Sequence, residues 1–302
     1  IPLQVRWVKT GSDACSAAIR LARAVTGKFI VKSQGYHGQD SAFVGLTPPA
    51  WGVVKDTWMQ SFTYNDLASL DHEDDAKYGV AAVILEQGVE EPNPDFYLGL
   101  RKWCNDHKAL LIMDEVVTGI RYARGGACEV YNIQPDIICM GKALGNGLPI
   151  AALVAPVEYM AWFARNDPVF VSSTNAGDPI SLAAADYVLQ LTKDGKYLHH
   201  IEQVGTYLID GMRETGWTVV GTPCRSLVQF TNNIEKGYFV SGMRDRGILM
   251  NRPNFVNMAH TMHDVATTIT AAREVRQNMQ QLTEAEWRGW AERQPKQLFV
   301  NR

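Results

Sequence analysis

The sequence carries no excess of positive charge: 29 Lys and Arg stand against 32 Asp and Glu, a net charge of −3. That removes the electrostatic footprint of a nucleic-acid binder. No uninterrupted apolar run approaches the roughly 18–20 residues of a membrane span. The opening residues, IPLQVRWVKTG, lack the charged-then-apolar layout of a secretory leader. Cys15, Cys104, Cys128, Cys139 and Cys224 contain no CxxC pair, so neither a disulfide framework nor a zinc site is indicated, and a reducing cytoplasm is the expected setting. His260 and His263 are three apart, but no third candidate ligand lies nearby in sequence, so no metal site is expected. Internal repeats, charge blocks and low-complexity tracts are missing. So are two phosphate-loop patterns, GxxxxGK[ST] and a strand-linked GxGxxG.

What is present is an ordinary globular composition in 302 residues, 46% of them hydrophobic, enough for a large core and two domains. Short apolar runs alternate with helical patterns. FIVKS, VAAVILE, ALLIMDE and DIICM read as strands of a sheet buried on both faces. Between them, Ala14, Ala18, Leu21, Ala22 and Val25 form a stripe at helical spacing that Gly27 stops, and Phe96, Leu100 and Trp103 share another face. This alternation predicts an α/β domain with a largely parallel sheet. From about Pro179 a long helical pattern, ISLAAADYVLQLTKDGKYLHHIEQVGTYLIDGM, leads to short strands WTVVG and SLVQFT and a last helix, MHDVATTITAAREVRQNM. The expected division is 1–185 for the large α/β domain and 186–302 for a linking helix and a smaller α+β domain.

Ligands of open α/β sheets gather at the carboxyl ends of the strands, which directs attention to three places. Lys142 follows DIICMG, a lone ammonium among glycines; such a charge is costly unless paired, shifted or covalently used, and otherwise is a surface lysine on a turn. Asp114 and Glu115 end ALLIMDE; neighbours on an extended chain point opposite ways, so only one can face a pocket. A buried carboxylate there would need a cationic partner such as a protonated pyridine nitrogen, although Asp at a strand end is also a common turn former. Tyr36 and His37 sit between glycines in QGYHGQD, where an aromatic can stack on a flat cofactor or simply pack in its loop. Thr10-Gly11-Ser12-Asp13 opens a helix whose free N–H groups suit a phosphate, and equally suit an ordinary cap. Together, a phosphate cradle, a stacking aromatic, a strand-end Asp and a strand-end Lys are what pyridoxal phosphate needs.

The stretches KTGSDACSAAIRLARAVTGK, GYHGQD, LLIMDEVVTGIRYARGGA, PDIICMGKALGNGLPIAAL and TNAGDPISLAAA, in that order, resemble the class III, fold-type I, pyridoxal-phosphate-dependent aminotransferases, and within them the glutamate-1-semialdehyde aminomutase branch. A weaker match is GILMNRPNFVNMAHTMHDV. The resemblance implies a mostly parallel, seven-stranded-type sheet flanked by helices. It makes Lys142 the Schiff-base lysine and proton shuttle, and pairs Asp114 with the pyridinium nitrogen. It puts Tyr36 on one ring face and Val116 on the other, and Gly11 and Ser12 on the phosphate. Glu86 lies near the cofactor. Thr174 matches a threonine that reaches the phosphate of the neighbouring subunit, which implies a homodimer with composite active sites.

Three features depart from the pattern. The phosphate loop begins at about residue 10, whereas the resemblance implies a sizeable segment ahead of it that supplies substrate-carboxylate contacts; the chain is therefore expected to be shortened at its N-terminus. Val117 stands where many class III aminotransferases have a glutamine, and valine cannot donate a hydrogen bond; the aminomutase branch is apolar there too. The segment SAFVGLTPPAWGVVKD does not keep the small-residue loop that gates the aminomutase pocket. The implied activity is ping-pong transfer of an amino group from an amine or amino acid to a carbonyl acceptor, with intramolecular aminomutase chemistry as the alternative. Arg121, Arg124, Arg225 and Arg252 are each able to bind a substrate carboxylate.

Overall fold

Aliphatic runs with no polar residue to expose become the centre of a seven-stranded sheet. In the computed structural model, which describes residues 1–47, 49–50, 52–166, 168–250, 253–283, 285–286 and 289–290, β4 (Val80–Leu85) and β5 (Leu110–Glu115) are buried at every position. Only a parallel strand covered on both faces reads this way. Around them lie β1 (Leu3–Val8), β2 (Ile30–Gln34), β3 (Met59–Ser61), β6 (Ile137–Met140) and β7 (Ala151–Pro156), in the order β1-β7-β6-β5-β4-β2-β3. The run β3-β2-β4-β5-β6 is parallel, and β7 is antiparallel to both β6 and β1. The expected largely parallel, fold-type I sheet is therefore present. Its antiparallel edge, β1 with β7, and the short β3 were not among the strands expected from the apolar runs.

The helix α1 (Gly11–Thr26) lies against this sheet. Its buried side is made mostly of small residues, Ala14, Cys15, Ser16, Ala17, Ala18 and Ala22, with Ile19 and Leu21. Small side chains let the helix axis approach the strands closely. A capping box fixes its start: Thr10 accepts from the Asp13 amide, and the Asp13 side chain accepts from the Thr10 amide. Gly27, at φ 68°, ends it.

The chain forms two compact units, one of residues 1–88 with 92–195, the other of 89–91 with the described residues from 196 onward. The long helical pattern after Pro179 is not one helix. It breaks into Pro179–Leu191 and Lys196–Glu214, because Thr192–Gly195 leaves the helix and Gly195 takes φ 72°. The second unit contains an antiparallel hairpin, β8 (Thr218–Thr222) with β9 (Arg225–Gln229), and helices Asn233–Arg244 and Met262–Gln280. The first of these last two helices was not anticipated. Trp217 organises this unit: its indole N–H donates to the Ala272 carbonyl at 3.0 Å and its ring meets Phe239 edge-on at 4.6 Å. No helix among the described residues is long and apolar enough to cross a membrane.

The two acidic residues that end β5 part company as the alternation requires. Glu115 turns away from Asp114 and pins the following loop. Its carboxylate accepts from the amides of Ala127 at 3.1 Å and Cys128 at 2.8 Å and from the Thr118 hydroxyl. Removing it orphans two amides and a hydroxyl in a buried place. Glu115→Ala is expected to lower stability by about 3 kcal/mol, read as a reduced urea midpoint; an unchanged midpoint would show that the loop does not depend on this carboxylate.

Candidate active site

Four neighbouring strands, β2, β4, β5 and β6, deliver their carboxyl ends to one edge of the sheet. Gly35-Tyr36-His37-Gly38 follows β2, Glu86 follows β4, Asp114 lies at the end of β5, and Gly141-Lys142 follows β6. The N-terminus of α1 reaches the same edge.

Asp114 is 2% exposed. Its Oδ2 lies 2.7 Å from Nδ1 of His37 and 3.4 Å from the Cys15 sulfur, and its Oδ1 accepts the Val116 amide at 3.0 Å. The other ring nitrogen of His37 faces the Gln34 carbonyl oxygen at 3.0 Å. A carbonyl only accepts, so Nε2 carries a proton. Burial disfavours the imidazolium, but hydrogen bonding to Asp114, aided by Cys15 and by the carboxylate's charge, outweighs it, and the His37 pKa is pushed up to about 10. His37 is thus a cation bonded at both nitrogens, and Asp114 has the cationic partner that a buried carboxylate requires. Phe43 covers the imidazole edge-on at 5.3 Å.

Val116 forms the floor beside this pair. Its methyl groups lie so close to Gly11 that a side-chain carbon there would meet them at 2.6 Å, and one at Gly141 would meet them at 3.3 Å. Gly38, at φ 110°, leaves room only for hydrogen because the Ser12 hydroxyl occupies the place of a side chain. That hydroxyl accepts from the Gln39 amide at 3.1 Å and keeps its own proton to donate. The capping box uses the Asp13 amide, while the amides of Gly11 and Ser12 have no partner among the described residues. Two N–H groups, one O–H and the positive end of a 16-residue helix thus converge where an anion can bind.

Lys142 is exposed. It opens a short 3-10 turn at φ 41°, a left-handed conformation uncommon outside glycine, aspartate and asparagine. Tyr36 is 66% exposed, and its amide donates to the buried Glu86 carboxylate at 3.3 Å. The fold therefore gathers Gly11, Ser12, Tyr36, Glu86, Asp114, Val116 and Lys142 at one edge of the sheet. Thr174 is exposed and follows Ser173, whose hydroxyl accepts the Lys9 amide at 3.2 Å beside the same helix start. Val117 is buried. Of the four arginines, Arg121 bonds to the Val117 carbonyl, Arg124 is exposed on the same loop, Arg225 lies in β9 of the second unit, and Arg252 lies outside the described residues. In the segment 41–56, Pro48 and Trp51 also lie outside them.

Residues 3–222 match the class-III aminotransferases, and the chain belongs to that family, whose enzymes use pyridoxal phosphate. It is similar to the glutamate-1-semialdehyde 2,1-aminomutase of Desulfitobacterium hafniense (strain Y51), 35% identical over 313 residues covering 90% of this chain and 73% of that protein. The aminomutase of Flavobacterium psychrophilum is 36% identical over 236 residues, covering 70% of this chain and 54% of that protein. Among solved structures, the FumI protein of Sphingopyxis sp. MTA144, in its PLP internal aldimine form, superposes with a TM-score of 0.83 at 27% identity, covering 98% of this chain and 74% of that one. A transaminase with PLP bound, 22% identical, shares the fold with a TM-score of 0.80 over 94% of this chain and 74% of its own.

The residues present fit pyridoxal phosphate. The unpartnered amides and hydroxyl at the start of α1 suit its phosphate, Asp114 suits its ring nitrogen, Val116 offers an apolar surface to the ring, and Lys142 offers an amine. His37 had no role in the sequence reading, although a buried carboxylate calls for a cation and His37 stands in a glycine-flanked loop at the end of a strand next but one to it. Cys15 carried no signal, since it reads as one more small residue of the helix stripe.

Because the folded pKa of His37 is raised, the pair's contribution to stability is fully present below the unfolded imidazole value of about 6.5 and is lost progressively as pH rises towards about 10. The margin of the native chain over His37→Gln, from urea midpoints, is expected to shrink across that interval. A margin independent of pH there would contradict the ion pair.

Proposed function

We propose that this chain is a two-substrate transaminase in which Lys142 moves protons and Asp114, held in place by His37, stabilises the electron-accepting form of the cofactor ring. The observation that carries the proposal is the convergence of an exposed lysine, a buried carboxylate–imidazolium pair and a partner-free helix start around Val116. Pyridoxal phosphate, when bound, supplies a ring that accepts the electrons left at the substrate carbon when its proton departs. The chain's residues make that departure possible. Gly11 and Ser12 hold the phosphate through amides and a hydroxyl. Val116 would offer its apolar surface to the ring and Tyr36 its aromatic one. Asp114 holds the ring-nitrogen proton, and its negative charge favours the protonated ring. Glu86 braces the Tyr36 loop through the Tyr36 amide. The Lys142 amine would hold the cofactor, and as a free base it would take the substrate Cα proton and give it back.

The same reading includes a homodimer, to which Thr174 contributes across the interface. Its support is the helix Pro179–Leu191, which leaves Ile180, Tyr187 and Leu191 between 59% and 69% exposed. Apolar residues grouped in this way on one helix and left open mark a surface that another chain covers. None of the five cysteines forms a disulfide among the described residues, which supports a cytoplasmic, reducing setting.

A second reading is intramolecular amino transfer, as named for the aminomutase relatives; the apolar Val117 favours it, and the altered segment 41–56 disfavours it. The two readings separate by substrate. A transaminase converts its cofactor to the pyridoxamine form with a donor alone and needs a second carbonyl substrate to turn over, with ping-pong kinetics. An aminomutase isomerises one amino aldehyde without an added acceptor. A panel of amines and amino acids added to the cofactor-loaded protein, followed by absorbance, is expected to show the first pattern; turnover of a single amino aldehyde with no acceptor would replace the proposal with the second.

Lys142→Ala is expected to fold and bind cofactor, yet borohydride should fix none of it to the chain. Cofactor still fixed in that variant would remove Lys142 from its role. Asp114→Asn is expected to bind cofactor more weakly and to lose at least about two orders of magnitude in turnover; near-normal turnover would sink the role given to Asp114.

A further inference from the structure

The Cys15 sulfur, the His37 imidazole and the Asp114 carboxylate are all buried, with their ligand atoms within 4.8 Å of one another. This is more than an ion pair needs. Cys139, on β6, places a second sulfur beside that of Cys15, and both cysteines are fully buried. The four groups come from α1, the loop after β2, and the adjoining strands β5 and β6, so no local spacing in the sequence announces them.

Two physical features make the cluster a metal site. The first is the orientation of His37. Its Nε2 donates to the Gln34 carbonyl at 3.0 Å, which leaves Nδ1 aimed at the cluster. A metal-binding histidine is held in the same way, by an outer hydrogen bond from the nitrogen that does not ligate. The second is charge. Without a metal, Cys15, His37 and Asp114 hold two protons that a cation can replace: the thiol proton and the one between Nδ1 and Oδ2. A divalent cation in place of both leaves the net charge of this buried group unchanged, so the exchange brings no uncompensated charge into the interior. Sulfur, imidazole and a single carboxylate select a borderline-soft ion with tetrahedral preference over magnesium or calcium, which require oxygen ligands.

We propose that the cofactor-free chain binds one Zn²⁺ or Cd²⁺ ion through Cys15, His37 and Asp114, and that the bound ion excludes pyridoxal phosphate. The exclusion rests on the role given above to Asp114, whose carboxylate serves either the metal or the ring nitrogen. Metal binding does not rest on it.

Cadmium is the probe, because thiolate ligation gives it an ultraviolet charge-transfer band. Cofactor-free protein is expected to take up one Cd²⁺ per chain with that band. Titration calorimetry in buffers of different ionisation enthalpy should show about two protons released per ion. Cys15→Ala is expected to abolish the band and weaken binding by more than about 100-fold, beyond what loss of an outer-shell partner costs, while Cys224→Ala keeps both. Absence of the band in the native chain, its persistence in Cys15→Ala, or uptake without proton release would each overturn the site; the last needs no variant to fold. Protein loaded with pyridoxal phosphate is expected to take up no cadmium in this band, and cadmium-loaded protein to show no cofactor absorbance. Simultaneous binding would keep the metal site and overturn the exclusion. No cadmium uptake, with Asp114→Asn still losing the cofactor, would overturn the metal site and leave the reading of Asp114 standing.

Discussion

A carboxylate and an imidazolium, both shut away from water 2.7 Å apart, are the constraint around which the active edge is arranged. Each would cost several kcal/mol to bury alone. Together they are tolerated because every polar atom is used: Asp114 also accepts the Val116 amide, and His37 also donates to the Gln34 carbonyl. That fixes three strand ends at once. The chain after β2 must turn so that His37 points inward, which sends Tyr36 outward. The chain after β5 must turn through Val116. The turn places the Val116 methyl groups against Gly11 and Gly141, and so sets the start of α1 and the approach to Lys142.

The rest of the large sheet supports this edge and takes little part in it. Strands β4 and β5 are buried throughout, so their register is held by core packing and the side chains at their ends are placed rigidly. Glu115 uses the opposite face of β5 to tie down the loop after Val116. One strand end therefore turns one carboxylate, Asp114, to the site edge and the other, Glu115, to the loop it ties down, separated by the alternation of the extended backbone.

Much of this was legible in the sequence, and for identifiable reasons. The apolar runs of β4, β5 and β6 suit strands of a largely parallel, buried sheet, and the carboxyl-end rule then located Asp114, Lys142 and the Tyr36 loop. The antiparallel β1–β7 edge was missed because Leu3–Val8, with Gln4 and Arg6 in it, lacks the continuous apolar run that marks an interior strand. The break at Thr192–Gly195 was missed because the helical periodicity resumes after it. The pairing of His37 with Asp114 and the nearness of Cys15 escaped because 77 and 99 residues of chain separate these partners, and local pattern carries no information over such a distance. Of the two readings open for Lys142, a charge under pressure or a lysine on a surface turn, the exposed side chain fits the second, and the local strain is in its backbone, at φ 41°.

The central claim is that the proton between His37 and Asp114 sits on the imidazole, beside a carboxylate that suits a ring nitrogen which must keep its own proton. Nitrogen-15 magnetic resonance of histidine-labelled protein tests it directly, because the two ring nitrogens report their protons separately. At about pH 8, where an ordinary imidazole is neutral, both nitrogens of His37 are predicted to resonate as protonated. A Nδ1 signal in the unprotonated range would mean that the shared proton resides on Asp114, and would contradict the account.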